Sequence, residues 1–129
     1  MNTRRMVLDT NVIVSALLSP SGSPAKVYSL FINGEHELLY SDSILVEYQD
    51  VLSRTHLAID ADDASKVIDG IRNHGVCISP EPGTVTLIDE DDRVFYDIAK
   101  SSGAYLVTGN LRHYPKESFI VSPREYLDL

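Results

Sequence analysis

Apolar residues along this chain fall into two patterns: short unbroken runs, and stripes at helical spacing. Met6-Val7-Leu8 is an apolar run between two arginines and Asp9-Thr10-Asn11, and reads as a buried strand. Thr10 or Asn11 is placed to cap a helix from Val12 to Leu18, since short polar side chains satisfy the free N–H groups of a first turn. Ser19-Pro20-Ser21-Gly22-Ser23-Pro24 is a loop by composition. Pro24 suits the first turn of a helix through Asn33, with Gly34 as its stop. Val27, Leu30 and Phe31 share one face of it. Glu37-Leu38-Leu39-Tyr40 is a second strand. Ser41 or Asp42 caps a third helix, Ser43 to about Ser53, with Ile44, Val51 and Leu52 as its apolar positions.

A further helix runs from Asp60 to Asn73, with Ala64, Val67, Ile68 and Ile71 on one side. Gly75 closes it, and Val76-Cys77-Ile78 forms a strand. Pro80, Pro82 and Gly83 make a loop. Asp91 to Ser102 is a helix with Phe95, Ile98 and Ala99 inward and Gly103 as its stop. Ala104-Tyr105-Leu106-Val107-Thr108 is the clearest buried strand, ended by Gly109-Asn110. Phe119-Ile120-Val121 is a last strand, and Ser122-Pro123 starts a terminal helical turn. Strands alternating with helices predict an α/β, three-layer fold: a central parallel sheet flanked by helices. With no repeat, linker or low-complexity segment, residues 1–129 read as a single domain.

Composition adds bounds. A chain of 129 residues can bury a core without metal or disulfide staples. No apolar run approaches the roughly 20 residues of a membrane span. The short run after Arg4-Arg5 is broken by Asp9 and Asn11, which makes a poor signal peptide. The single Cys77 lies in a strand-like stretch, so a buried, inert thiol and a reducing cytoplasm are expected. The net charge of −8 argues against simple nucleic-acid binding, because affinity for a phosphate backbone normally comes from Lys and Arg. The charge is uneven, however. Acids gather at 89–92 and at Asp60, Asp62 and Asp63, while the C-terminal part carries Arg112, His113, Lys116 and Arg124. An acidic chain binds a polyanion where a cation and a local basic rim face it, and its acidic surface suits a basic partner.

In open parallel sheets, ligands bind beyond the carboxyl ends of the strands. Asp9 directly follows the first strand, Gly109 and Asn110 follow the strand ending at Thr108, and Asp91 and Asp92 open the helix that feeds that strand. Glu47 lies about one turn into the helix after the second strand. Converging carboxylates need a cation or a protonated member. Hard oxygen donors at an open site suit Mg²⁺ or Mn²⁺, and no His/Cys pair at zinc spacing competes. Such an ion activates water and holds phosphate oxygens, which is the chemistry of phosphodiester hydrolysis. Each acid also has a plainer reading. Asp9 can be a helix cap, Glu47 a surface residue, and Asp89, Glu90 and Asp91 a complement to the helix dipole. His36, His56 and His74 fall in loop-like or helix-end positions and receive no role.

Val7-Leu8-Asp9-Thr10-Asn11-Val12 resembles the opening motif of PIN domains, where a strand ends in Asp-Thr-Asn. Asp92-Arg93-Val94-Phe95-Tyr96-Asp97-Ile98-Ala99, followed by Gly103-Ala104-Tyr105-Leu106-Val107-Thr108-Gly109-Asn110, resembles the second signature of that family. The flanks Ser15–Ala25 and Ser122–Leu127 are similar to a subgroup regarded as toxins of toxin–antitoxin pairs. The resemblance implies metal carboxylates at Asp9, Glu47 and Asp92, the last chosen over Asp91 by its spacing to Ala99. The fourth position, often Asp in the family, is Asn110, which can ligate but adds no charge. Thr10, Asn11 and Thr108 fall where side chains orient such a site, though Thr108 reads equally as an ordinary strand residue. His113 and Arg112 fall where an RNA phosphate would pass.

The expected function is a Mg²⁺- or Mn²⁺-dependent endoribonuclease cutting single-stranded RNA. The resemblance further implies a toxin with a protein antitoxin, a homodimer or higher oligomer, and no membrane. Asn110 keeps open a weak or inactive module of the same fold that binds RNA or protein. A receiver-like signalling domain ranks low, since the chain lacks an acidic pair beside Asp9 and a Lys soon after Thr108.

Overall fold

The central strand, Arg5–Leu8 (β1), is apolar throughout its buried part because both faces of the sheet are covered: Met6, Val7 and Leu8 are fully buried. A computed structural model of the protein describes residues 4–80, 83, 87 and 89–129. After β1 come α1 (Thr10–Leu18), α2 (Ser23–Ile32), β2 (Glu37–Tyr40), α3 (Asp42–Leu52), α4 (Ala61–His74), β3 (Val76–Cys77), α5 (Arg93–Ser102), β4 (Tyr105–Val107), β5 (Ile120–Val121) and α6 (Pro123–Leu127). Three-residue 3₁₀ turns stand at Thr55–Leu57, Glu90–Asp92 and Leu111–His113.

The five strands pair in the order β3-β2-β1-β4-β5, all parallel. Met6 stands opposite Leu38 on one side and Tyr105 on the other, and Leu8 stands opposite Val107. This register brings the ends of β1 and β4 level, so that Asp9 and Thr108 leave the sheet side by side. The ladder continues past them: Asp9 N–H donates to Val107 O at 2.9 Å and Thr108 N–H to Val121 O at 2.9 Å. Helices flank the sheet. Of the stripes expected in them, Val27 and Phe31 on α2, Ile44 and Leu52 on α3, Val67, Ile68 and Ile71 on α4, and Phe95, Ile98 and Ala99 on α5 are buried, while Leu30, Val51 and Ala64 are partly buried. Among the described residues no helix is long and apolar enough to cross a membrane.

Three local expectations need correction. Asp9, not Thr10 or Asn11, caps α1: its backbone is extended and its carboxylate accepts Thr10 N–H at 2.8 Å. Such a cap contributes about 1 kcal/mol. The expected helix from Asp91 begins instead as a 3₁₀ turn, and α5 proper starts at Arg93. Gly103 does end it, in the left-handed conformation (φ 65°) that a residue without Cβ adopts freely. Cys77, expected to be buried, is exposed. It lies on the edge strand, paired to β2 alone, and both residues of that strand face solvent. Of the expected 80–83 loop, Pro82 lies outside the described residues.

Candidate metal centre

Three donors converge on the Asp9 carboxylate. Oδ1 takes the Thr10 N–H of the helix it caps, and Oδ2 takes the hydroxyls of Thr108 at 2.8 Å and Tyr114 at 3.0 Å. Asp9 is 7% exposed, so these bonds replace water around a buried charge. Thr108 is fully buried; its Oγ1 also accepts Asn110 N–H at 3.0 Å, binding the chain after β4 to the same cluster. Asp9 therefore satisfies the plain capping reading, and its charge also acts on Asp92.

Glu47 is half-buried on α3, which Ser41 caps by accepting Ile44 N–H at 3.2 Å. The Thr10 hydroxyl donates to Glu47 Oε2. The next residue, Tyr48, is fully buried and donates its hydroxyl to Leu8 O, which pins α3 against the carboxyl end of β1. Asn11 accepts Gly109 N–H at 2.9 Å through Oδ1, tying the start of α1 to the turn after β4. A Cβ at position 109 would stand 3.2 Å from that oxygen, so the close approach favours glycine.

Asp92 ends the turn before α5. Asp89 caps this turn, accepting Asp91 N–H at 2.9 Å, and Arg93 pins it, donating to Glu90 at 2.6 Å and to Gly83 O at 3.0 Å. Asp91 is exposed and Asp92 half-buried. Asp92 Oδ2 is buried without a hydrogen-bond partner among the described residues; the ring nitrogen Nδ1 of His113 lies 3.5 Å from it. Burial, then the charges of Asp9 and Asp89, push the Asp92 carboxyl up to about 6; Glu47 adds to this and His113 opposes it. Burial and the charges of Asp9, Asp92 and Glu47 drive the phenol of Tyr114 far above its ordinary range, so it stays a donor. Tyr114 thus marks the point on which all three acids act.

Asn110 is half-buried on the same rim, but its side chain pairs with His113 (Nδ2 to Nε2, 3.0 Å). Among the described residues no three His, Cys, Asp or Glu side chains are gathered closely enough to enclose a metal ion. Carboxylates that repel with no counter-charge between them favour such spacing. The donor set still fits a hard divalent cation: every group is an oxygen, the charges are alike, and Asp92 carries a buried oxygen that no hydrogen-bond donor among the described residues satisfies.

Sequence reasoning gave Tyr114 and Tyr48 no role. A tyrosine in an irregular stretch between β4 and β5 carries no periodic signal, and Tyr48 sits at a core position of its helix. His36, likewise given no role, bonds through Nδ1 to Tyr126 Oη at 2.6 Å on a part of the fold that holds none of these acids. A groove of about 710 Å³ between α3 and α4 is also lined by none of them.

A family model described as PIN domain matches residues 5–112. The chain belongs to the PIN-domain family. An uncharacterised protein of Methanocaldococcus jannaschii is 33% identical over 110 residues, spanning 82% of this chain and 70% of that one. PAE2754 of Pyrobaculum aerophilum, known from a crystal structure, superposes with a TM-score of 0.61 at 16% identity, covering 98% of this chain and 88% of that one. This second likeness bears on the fold alone. PIN domains are generally nucleases and typically use divalent metals, so the acid rim lies on a fold of nuclease type.

Proposed function

We propose that this PIN domain is a Mg²⁺- or Mn²⁺-dependent endoribonuclease that cuts single-stranded RNA, and that it is the toxin of a toxin–antitoxin pair. The observation that carries the nuclease reading is the unsatisfied, buried Oδ2 of Asp92, charged against Asp9 and Glu47. Asp9, Glu47 and Asp92 would hold the cation, with Asn110 in support. When bound, the ion supplies Lewis acidity to the phosphate and lowers the pKa of water.

The chain supplies position. Thr10, Thr108 and Tyr114 fix Asp9, so this carboxylate does not reorganise as charge develops nearby. Thr10 aims Glu47 from the same turn. Arg93 holds the turn that presents Asp92, and Tyr114, kept protonated, stays a donor to Asp9. A single strand is the favoured substrate because its exposed backbone reaches an open rim that a duplex meets only through its grooves.

The toxin assignment is supported by the resemblance of the flanks Ser15–Ala25 and Ser122–Leu127 to toxin sequences. The net charge of −8 offers a surface to a basic antitoxin. A homodimer or higher oligomer in the cytoplasm belongs to the same reading. Incubation of labelled single-stranded RNA with Mn²⁺, with EDTA, and with the Asp92→Asn variant tests it: cleavage is expected in the first case only. The tie between Asn110 and His113 favours a second reading, a binding module without catalysis. Metal-dependent stabilisation with no RNA cleavage would select it.

A further inference from the structure

Beside the acid rim, the segment between β4 and β5 forms a groove of about 630 Å³ walled by Leu111, Arg112, Tyr114, Pro115 and Lys116. That size lies within the roughly 300–1,000 Å³ of pockets that take small ligands. We propose that this groove seats a nucleotide flanking the cut phosphodiester, with Arg112 and Lys116 on its phosphates and Leu111 and Pro115 against its base. The inference rests on the nuclease reading and adds where the strand lies.

Charge is the first argument. Five of the eleven Lys and Arg residues of this acidic chain, Arg54, Arg72, Arg93, Lys100 and Arg124, each pair with a carboxylate among the described residues. Arg112 and Lys116 are exposed, and neither makes an ion pair or hydrogen bond among the described residues. The two carboxylates lining the same groove are engaged elsewhere. Glu117 takes Lys100 at 3.1 Å and the hydroxyl of Tyr96, and Glu125 accepts Ser122 N–H at 2.8 Å in the cap of α6. The groove therefore offers two uncommitted cations and two occupied acids, which suits a polyanion.

Continuity is the second argument. Tyr114 lines the groove and donates to Asp9, so one buried side chain links the groove to that carboxylate. Leu111 is 43% exposed, an apolar surface beside two cations, which matches the two chemistries of a nucleotide.

The test uses the full chain with substitutions Arg112→Ala, Lys116→Ala, both together, and Leu111→Ala. Binding of a fluorescein-labelled oligouridylate is measured in EDTA across a salt series, alongside KM for its cleavage in Mn²⁺. Each phosphate contact on a single strand contributes about 0.7 to the slope of log affinity against log salt, so the double variant should lose about 1.4 and bind about tenfold more weakly. KM should rise in parallel. Leu111→Ala should weaken binding with no change of slope. The Mn²⁺-induced rise in melting temperature should match wild type in all four. Wild-type cleavage with unchanged affinity, slope and KM in the double variant overturns the groove and leaves the nuclease reading standing. A wild type that neither binds nor cleaves RNA overturns both.

Discussion

Tyr114 donates its hydroxyl to Oδ2 of Asp9 at 3.0 Å, joining residues 105 positions apart in the chain. Thr108 donates to the same oxygen. Tyr114→Phe should leave the fold intact and cost about 2 kcal/mol, the scale of a hydrogen bond to a charged group. Thr108→Val should cost a similar amount. The double variant leaves Oδ2 with neither donor, so its loss should exceed the sum of the singles. Urea melts of the three variants measure this; strict additivity would show that the two hydroxyls do not share one acceptor.

Asp92→Asn should abolish metal-dependent RNA cleavage and keep the fold. Without metal at pH 7 it should be stabilising by about 1 kcal/mol, less than the shift alone would convert to, because solvent at the rim screens the repulsion. Asp91→Asn should do much less, since Asp91 is exposed and contributes to the turn through its backbone N–H. An essential Asp91 in a cleavage assay would refute the choice of Asp92.

The raised carboxyl of Asp92 sets a pH window. Its ordinary value is 3.8 and its folded value about 6, so between these the folded chain binds more protons than the unfolded one. Asp92's contribution to metal-free stability therefore falls as pH rises through the window, and its full penalty is present above about pH 6. Protons compete with the cation in the opposite sense: the Mn²⁺ midpoint should rise about tenfold per unit as pH drops below about 6. Melting curves at several pH values with and without Mn²⁺ check both slopes, and Asp92→Asn should flatten them.

Asn110→Asp adds a fourth carboxylate at nearly constant shape. The metal-free protein should lose stability through repulsion, the Mn²⁺ midpoint should fall, and the metal-induced rise in melting temperature should grow. If Asn110 serves only as a turn residue held by His113, the two proteins will give parallel curves across a Mn²⁺ titration.

The sheet was legible in the sequence because both of its faces are covered. Met6-Val7-Leu8 and the run through Val107 carry unbroken apolar residues that no surface segment needs. Asp9 and Asn110 were legible as rim residues because they directly follow those strands. Cys77 was misread because a short apolar stretch looks alike at the centre and at the edge of a sheet, and only pairing distinguishes them. The cap of α1 stayed open among Asp9, Thr10 and Asn11 because all three are good capping residues, and the choice depends on where β1 ends. Tyr114 was illegible: its importance comes from the hydroxyl that reaches Asp9, a tertiary contact with no period along the chain.

The acid rim is tested most directly by anomalous diffraction from crystals soaked in Mn²⁺. A peak at ligand distance from Asp9 and Asp92, with Glu47 drawn toward it, is the predicted result. A rim that stays empty while Mn²⁺ collects at another acidic cluster, such as Asp60, Asp62 and Asp63, would contradict the account.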